Sequence, residues 1–539
     1  MKICIFSQMK IQVIMSLIIL LQVLSSCNDF LGNDDKFYHV ATQKQQWNSL
    51  TDNRSALMGI YGLMRSALAE NNTYWACGDL RLGDFSVYER EDLKAIASNK
   101  LLASFDNIQQ ISNWNRFYKV VNAAAVFMEN AGKVLEKDKA YSETNYQYDV
   151  AQARALRALA YFYMVRMWGD VPLITQSYDN GSFPEMPRTD AAKVLNYVKG
   201  ELQEAASKLP ILLGDQSDKY YGSDANTWKG VLIGRLSVNT ILAHVAAWEG
   251  NYIDVHSYAN YILSVAAGVK ANYLDVADLV SPKGIFKYDF DSNKRAARLL
   301  SFVYRYKGSN DKDVGSSEPT TDGHLEAWTL AEPLVRKSHP DIYISKEKLF
   351  EIFTETTDVR FGFKDTLSSA GYYTNYISNI STETPVFSKI KVIRNGEDKT
   401  NDYGVFGSTI ILSRMEDIAL LEAEALCMLN RGEEAIVYLN EVRAKRNLKP
   451  YSFKLDFPGV TENDPPSVEN LLKEIFDERR RELMGEGHYW FDRIRRAKLI
   501  GDDPEIAHLL QSDGGIYWPV AKDVIKANSK VKQTDYWNN

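Results

Sequence analysis

The chain has 539 residues, of which 45% are hydrophobic and 12% aromatic, so it holds enough apolar side chain for a full core. Its 63 Lys and Arg residues stand against 70 Asp and Glu residues, for a formal net charge of −7. This acidic balance, together with the lack of any basic run, argues against nucleic acid as a partner.

The first 26 residues have the composition of a signal peptide. Lys2 and Lys10 are their only charges, and the apolar run Ile11–Val23 is too short to span a bilayer. The run leads into Leu24–Cys27, which is similar to the lipobox of bacterial lipoproteins, whose cysteine becomes the acylated N-terminus. We therefore predict lipidation at Cys27, with an ordinary secretory signal as the alternative.

Lipidation divides the chain into a signal peptide (1–26), an acylated N-terminus with a tether (27–42) and a body (43–539). The body is expected to contain an N-terminal region (43–270) and a C-terminal region (271–539), with helical pairs interleaved across both. We expect this body to lie in water while acyl chains hold the protein at a membrane.

Apolar residues at helical spacing predict a mostly α-helical body. The predicted helices are Gln43–Glu70, Ser112–Leu135, Asn145–Trp168, Arg188–Ser207, Ala225–Glu249, Tyr252–Ala266, Ile410–Asn430 and Glu433–Arg446. Thr189 or Asp190 is the expected N-cap of the fourth. Helix pairs joined by short glycine turns, such as Gly250-Asn251, are typical of tetratricopeptide-type repeats. The sequence thus predicts a tetratricopeptide-like scaffold, degenerate and interrupted by insertions.

The helical periodicity weakens between residues 272 and 409, where long irregular loops are predicted. Within this part, Leu300–Tyr306 alternates like a short strand. The C-terminal tail from Gly514 onwards predicts a short extended piece, a single turn of helix and a closing extended segment. Little β-structure is therefore expected in the whole chain.

The stretch Asp477–Lys498 combines acids, arginines and two glycines, and it predicts a helix, a break at Gly485 and Gly487, and a second helix. Glu478 and Glu482 share a helical face, where arginines from the next turn can bind them. The alternative is a metal or catalytic site built from Glu482, Glu486 and His488. Because the spacing lacks the H-E-x-x-H geometry, we predict a structural ion-pair cluster.

No motif predicts a catalytic residue, a metal or a cofactor. The sequence has no C-x-x-C, no zinc spacing, no G-x-S-x-G and no phosphate-binding loop, although calcium held by scattered oxygen ligands stays open. Beyond the signal and the lipidated residue, Cys77 and Cys427 remain. We expect both to be buried free thiols, with a disulfide as the alternative.

Sugar sites combine aromatic platforms with side chains that fix hydroxyl groups. Trp75, Asp79 and Arg81, with Asp84, have that composition on the glycine-punctuated segment 71–90. The alternative is that the three charged residues pair with one another and Trp75 belongs to the core. Tyr306 and Trp328 form a second candidate pair of ligand contacts, and Tyr372-Tyr373 a weaker third set.

Taken as an ordered set, several fragments resemble the SusD/RagB family of outer-membrane nutrient-uptake lipoproteins. The matching fragments are Ser26–Leu31, Trp114–Tyr118 with Asn122, Ala153–Pro172, Arg414–Glu424, Glu478–Arg495, and Tyr517–Val520 with Asn528 and Gln533. Each fragment is modest alone, but together they span the mature chain in order.

The resemblance implies a lipid-anchored, non-enzymatic protein at the outer-membrane surface, with ligand-binding loops on a tetratricopeptide-like scaffold. It implies two partners: an oligosaccharide, and a SusC-like TonB-dependent transporter that receives it. A peptide or other nutrient is an alternative ligand. Alternatives of other classes are an all-α glycosidase and a structural adaptor without a small ligand.

Overall fold

The computed structural model describes residues 46–178, 184–215, 219–303, 322–362, 364–393, 406–452 and 467–538. Cys27, the tether and Tyr306 lie outside these ranges, so the predictions made for them stay predictions. Within the described residues, no helix is both long enough and apolar enough to cross a membrane.

The N-terminal part of the described chain is helical apart from one two-residue strand, β1 (Ser86–Val87). Its helices are α1 (Leu50–Ala69), α2 (Thr73–Trp75), α3 (Glu91–Ala97), α4 (Asp106–Ile111), α5 (Asn115–Asn130), α6 (Lys133–Lys137), α7 (Glu143–Trp168), α8 (Ala191–Lys208), α9 (Ala225–Trp228), α10 (Arg235–Glu249), α11 (Tyr252–Ala266) and α12 (Val276–Val280). A π-helical turn, Ala76–Leu80, follows α2.

The middle of the chain holds the short strands and few helices. It contains β2 (Arg298–Phe302), α13 (Glu326–Thr329), β3 (Ile342–Tyr343), α14 (Lys346–Ile352), β4 (Ile377–Ser378), β5 (Val386–Phe387) and β6 (Ile410–Arg414). The strands form three antiparallel pairs, β1 with β3, β2 with β6 and β4 with β5.

The C-terminal part is again helical. Its helices are α15 (Met415–Met428), α16 (Gly432–Lys445), α17 (Val468–Glu482), α18 (Tyr489–Leu499), α19 (Pro504–Gln511), α20 (Lys522–Ala527) and α21 (Asp535–Asn538). The mostly α-helical fold class is therefore confirmed. The boundary placed at residue 270 stays a prediction.

The scaffold is a continuous stack of helices. Helices α1, α5, α7, α8, α10, α11, α15 and α16 each pack against the next, so the stack passes from the N-terminal into the C-terminal part. Asp190 accepts hydrogen bonds from the backbone at the start of α8, as predicted for an N-cap. Gly250, in the left-handed region, ends α10 before α11. One hydrophobic core cluster includes residues from Trp47 to Trp537.

Two predicted helices are wrong in part. The segment Ala225–Glu249 is broken between α9 and α10, because Gly230 has φ +64° and the amide of Arg235 donates to the carbonyl of Pro210. The first five residues of Ile410–Asn430 form strand β6, which pairs antiparallel with β2. The strand predicted at Leu300–Tyr306 is confirmed for its first residues, since β2 extends from Arg298 to Phe302.

The chain ends also differ from the expectations. α1 begins at Leu50, where Ser49 and Asp52 form a reciprocal capping box that stabilises the first turn. The unpredicted helix α19 precedes the tail, and the last residues of the tail form the helical turn α21 instead of an extended segment. The single predicted turn of helix corresponds to α20. Cys77 and Cys427 are buried free thiols, as expected.

The predicted ion-pair cluster in Asp477–Lys498 is confirmed. Most of the arginines that bind its glutamates come from other parts of the sequence and not from the next helical turn. Glu482 binds Arg446 at 2.7 Å, Arg414 at 2.7 Å and Arg360 at 3.0 Å, and all four side chains are fully buried. These arginines come from the end of α16, from β6 and from the loop after α14. The cluster therefore joins segments that are distant in the sequence.

The other acids of the stretch are paired in the same way. Glu478 binds Arg360 at 2.7 Å and Arg481 at 2.9 Å, and Glu486 binds Arg414 at 2.9 Å and Lys389 at 2.5 Å. Among the described residues, no group of three His, Cys, Asp or Glu side chains is placed to hold a metal ion. The cluster therefore has the geometry of a structural network, as the charge pattern predicted.

The two-glycine break between α17 and α18 is required by close packing. Gly485 and Gly487 have φ +76° and +77°, and a Cβ on Gly487 would lie 2.5 Å from the ring of Tyr74. We expect Gly487→Ala to lower the free energy of unfolding by about 1–3 kcal/mol, since it combines backbone strain with this clash. Urea unfolding followed by circular dichroism measures the change.

Gly62→Ala is the matched control for that substitution. Gly62 lies inside α1, and a Cβ there would meet no atom within 4 Å. Alanine is favoured over glycine in a helix interior by about 1 kcal/mol, so this variant should be slightly more stable than the wild type. Equal destabilisation by both substitutions would contradict the packing argument.

Candidate functional site

The first predicted ligand set lies in the interior of the protein. Trp75 is 2% exposed, and its indole N–H donates to the carbonyl of Gly485 at 2.9 Å. Asp79 is 4% exposed and accepts a hydrogen bond from the amide of Gly487 at 2.5 Å. Burial raises the pKa of Asp79 to about 7. These contacts hold the segment after α1 against the glycine break.

Arg81 is fully buried and binds backbone carbonyls of the C-terminal tail. Its guanidinium donates to Gly515 at 2.9 Å and to Ile516 at 2.8 Å, and it lies 4.3 Å from the ring centre of Trp490. Burial lowers the pKa of Arg81 to about 9. A sugar cannot reach these buried and already bonded groups, so the structure corrects the predicted ligand role of Trp75, Asp79 and Arg81.

The predicted alternative for this segment is right for the tryptophan and wrong for the charges. Trp75 belongs to the core. The charged residues, however, do not pair with one another, because Asp84 binds Arg480 at 2.5 Å while Asp79 and Arg81 bind backbone groups. The core position of Trp75 is therefore confirmed, and the pairing among Asp79, Arg81 and Asp84 is wrong.

Of the second predicted pair of ligand contacts, Tyr306 and Trp328, only Trp328 lies in the described part of the chain. Trp328 lies in α13, is 5% exposed, and accepts a hydrogen bond at its carbonyl from the amide of Asp341. Its burial removes it from the accessible ligand contacts. Tyr306 lies outside the described residues. Tyr372 and Tyr373 are half-buried, and a ligand role for them stays a prediction.

An open groove near the predicted N-terminal segment has the composition of a sugar site. Its volume is about 490 Å³. It lies where α3 and α4 meet the turn after α1, and it combines one aromatic side chain with amides and carboxylates. The lining residues are Asn71, Glu91, Asp92, Phe105, Asp106, Asn107 and Gln110. We call this surface the N-terminal groove.

Phe105 is the aromatic side chain of the N-terminal groove. It immediately precedes α4 and is 37% exposed, so its ring is accessible to a ligand. The flat, apolar face of such a ring can pack against the C–H groups of a sugar ring. Phe105 therefore offers the kind of platform that was predicted for Trp75.

The polar side chains of the N-terminal groove are held in place by hydrogen bonds. Asn107 donates to Asp92 at 2.9 Å, and Asn71 donates to Gln110 at 2.6 Å. Burial acts to raise the pKa of Asp92, but Arg90 outweighs it and lowers this pKa below its usual value. The fixed amide and carboxylate oxygens can accept hydrogen bonds from hydroxyl groups.

A second exposed aromatic contact lies beside the groove. Tyr88 and His339 stack with their ring centres 4.5 Å apart, and both are exposed. The pairing of β1 with β3 brings them together, and the amide of Tyr88 donates to the carbonyl of Asp341 at 2.9 Å. Arg90 binds both Asp92 and Asp341, so it links this stack to the N-terminal groove.

A second large cavity, of about 480 Å³, is lined mainly by charged residues around α17, α18 and α19. Its arginines are already paired: Arg480 with Asp84, Arg493 with Asp503 and Arg496 with Asp477. Arg480 and Arg493 also lie over the ring of its tyrosine, Tyr489. The arginines of this cavity are therefore engaged by acids and by the face of Tyr489.

A buried serine, histidine and glutamate also meet, but not in the order of a hydrolase triad. Ser408 donates to Glu326 at 2.8 Å, and the ring Nδ1 of His324 lies 3.1 Å from the same hydroxyl. In a triad the histidine stands between the nucleophile and the acid. Here the serine stands between them, and all three side chains are buried, so this arrangement does not activate a nucleophile.

Comparison with known proteins gives the family. The SusD family model matches residues 292–503. A SusD superfamily protein of Bacteroides thetaiotaomicron with a crystal structure is 51% identical, with a TM-score of 0.81 over 92% of this chain and 100% of that one. The chain belongs to the SusD family.

Other relatives cover much of the chain at lower identity. SusD-like protein P38 of Formosa agariphila is 25% identical over 97% of this chain and 98% of its own length. A SusD-like protein of Bacteroides ovatus is 34% identical over 72% of this chain and 66% of its own. SusD-family proteins are outer-membrane-associated binding proteins of nutrient uptake and not enzymes.

The groove residues were not found from the sequence. Asn71 and Gln110 are 39 positions apart, and neither α3 nor α4 was predicted from the sequence. A weak signal was present in Phe105-Asp106-Asn107, where an aromatic residue directly precedes the polar first turn of a helix. Only the fold shows that this aromatic residue faces solvent.

Proposed function

We propose that this SusD-family protein captures an oligosaccharide in the N-terminal groove and delivers it to a SusC-like TonB-dependent transporter. Acyl chains on Cys27 hold it at the outer membrane, with its body facing the cell exterior. Family membership supports the nutrient-binding role, and the lipobox-like sequence supports the anchor. The long helical stack supplies an extended surface for a protein partner.

One observation carries the choice of site: an exposed phenylalanine stands beside amides and carboxylates that are already fixed in position. Pre-positioned polar groups reduce the entropy that binding costs, and an aromatic face adds apolar contact. The N-terminal groove has both features, whereas Trp75, Asp79, Arg81 and Trp328 are buried. Tyr306 stays a predicted contact outside the described residues.

We expect Phe105→Ala to weaken glycan binding about three- to sixfold. Complete burial of a phenylalanine side chain contributes about 1.5–3 kcal/mol, and a ligand can cover only the 37% of Phe105 that is exposed. The expected loss is therefore about 0.6–1.1 kcal/mol, where 1.4 kcal/mol is a factor of ten in the dissociation constant. A panel of soluble glycans first identifies the ligand by affinity electrophoresis, and titration calorimetry then compares the variants. Unchanged affinity in Phe105→Ala would remove the N-terminal groove as the site.

Phe350→Ala is the matched control. Phe350 is 41% exposed, close to the 37% of Phe105, but it lies in α14 and does not line the groove. Its replacement should leave the dissociation constant unchanged, and thermal melts of both variants check that they are folded. Cleavage products from the glycan panel would favour the glycosidase alternative. Retention of peptides alone would favour the peptide alternative, and failure to retain any ligand would favour the adaptor.

A further inference from the structure

The side chains that line the N-terminal groove are acidic or neutral. Glu91, Asp92 and Asp106 carry the charges, and the remaining described lining residues are amides and one phenylalanine. None of these described lining residues is basic. The groove therefore presents hydrogen-bond acceptors and negative charge to a ligand.

Arg90 and Lys94, the basic side chains that form ion pairs with acids of the groove lining, are engaged by those acids. Arg90 binds Asp92, with its Nε 3.0 Å from the carboxylate, and it also lies 3.6 Å from Asp341. Lys94 binds Glu91 at 2.7 Å. An anionic group needs an unoccupied guanidinium or ammonium group to replace its lost water, and these two are engaged.

Asp106 adds a further negative charge to the groove. It is exposed in the first turn of α4, and within the described part of the chain no basic side chain forms an ion pair with it. Asp322 accepts a hydrogen bond from the backbone of Asn71, which lines the groove, and burial together with the charge of Glu70 raises the pKa of Asp322. The negative charge of the groove lining therefore comes from Glu91, Asp92 and Asp106.

We propose that the N-terminal groove selects uncharged saccharides and excludes those that carry carboxylate or sulfate groups. This inference rests on the proposed function and concerns the ligand class of the same site. Neutral sugars donate their hydroxyl hydrogens to the carboxylate and amide oxygens. A uronate or a sulfate ester would place a second negative charge against these carboxylates, while Arg90 and Lys94 are already paired with Asp92 and Glu91.

The experiment compares one polymer with its own charged derivative. The full-length protein without its signal peptide is tested against starch, dextran, xylan, galactan and mannan, and against polygalacturonate, alginate and chondroitin sulfate. A neutral polymer that is retained is then oxidised by a nitroxyl catalyst, which converts its primary hydroxyl groups to carboxylates. For a polymer without primary hydroxyl groups, sulfation replaces oxidation.

We expect the acidic polymers and the charged derivative to bind at least tenfold more weakly than the neutral polymer in 50 mM salt. The difference in affinity between the neutral and the charged polymers should become smaller in 500 mM salt, because salt screens repulsion between exposed charges. Binding of an acidic polymer that is tight at 50 mM salt and weakens at 500 mM would overturn the proposal. So would equal affinity for the neutral polymer and its derivative.

A charge variant separates repulsion from loss of a hydroxyl contact. The measured quantity is the dissociation constant of the charged derivative divided by that of the neutral polymer. Asp106→Asn should reduce this ratio at least threefold, whereas Asp523→Asn should leave it unchanged. Asp523 is a matched control because it is an exposed aspartate in the first turn of another helix, α20. A ratio that Asp106→Asn does not alter would overturn the charge-based selection.

Failure of the two proposals can be told apart. If no saccharide of any charge is retained, the proposed glycan capture fails, and the inference about charge fails with it. If neutral and acidic polymers bind alike and Phe105→Ala weakens both, glycan capture in the N-terminal groove stands and only the charge selection is overturned.

Discussion

Replacing Glu482 by alanine is expected to lower the free energy of unfolding by about 3–5 kcal/mol, which is typical for removing one partner of a buried ion pair. Glu482 is fully buried among Arg360, Arg414 and Arg446. Without the carboxylate, these guanidinium groups repel one another in a site that water does not reach. The midpoints of urea and thermal unfolding measure the loss.

Glycan affinity at a temperature where the variant is folded should stay unchanged, because the Glu482 cluster does not line the N-terminal groove. Glu505→Ala is the control: this acid is 55% exposed and lies 3.2 Å from Arg493. Its loss should cost at most about 1 kcal/mol, as for other exposed pairs. Unchanged stability of Glu482→Ala with lost binding would show that the cluster serves ligand binding instead.

The second large effect is expected on acidification. Burial acts to raise the pKa of Glu478, but Arg360 and Arg481 outweigh it and lower this pKa to about 2 from an ordinary value of 4.5. The pKa values of Glu482 and Glu486 are also lowered by their basic partners, against the effect of burial.

Carboxyl groups with a lowered folded-state pKa stabilise the protein fully above their unfolded pKa, and this contribution is lost as the pH falls to the folded value. We therefore expect the Glu478 contribution, about 3 kcal/mol, to be complete above about pH 4.5 and to disappear towards pH 2. Urea unfolding at a series of pH values between 7 and 2 measures it.

Glu478→Gln isolates this contribution from the other titrating groups. The glutamine is similar in shape to the protonated acid, so the variant should be about 3 kcal/mol less stable than the wild type at pH 7 and nearly equal to it at pH 2. Two stability curves that stay parallel between pH 7 and pH 2 would contradict the assigned charge pairing.

Much of the helical scaffold was predictable because its signals are local. In α7 and α11 the apolar periodicity lies within one continuous segment, and the residues that end each helix stand next to it, so no distant partner had to be known. Strand β6 is an element that local sequence signals could not predict. Ile410–Arg414 continues an apolar run, and it is a strand only because β2, more than a hundred residues earlier, pairs with it.

The candidate site was predictable only as a region of the chain. Segment 71–90 was predicted to carry ligand contacts, but Trp75 and Arg81 bind the glycine break and the C-terminal tail, which lie over 400 residues away. Such long-range contacts leave no local spacing in the sequence. Phe105 was missed because a single phenylalanine gives no sign of whether it is buried or exposed.

The sequence alone determined the family resemblance, the helical class and the structural nature of Asp477–Lys498, because each depends on residue order or on local charge balance. Tertiary structure decided which side chains a ligand can reach. The same residue types, an aromatic ring beside polar groups, occur around Trp75 and around Phe105. The approach of Gly485 and Gly487 buries the first set, while the short helices α3 and α4 leave the second open to water.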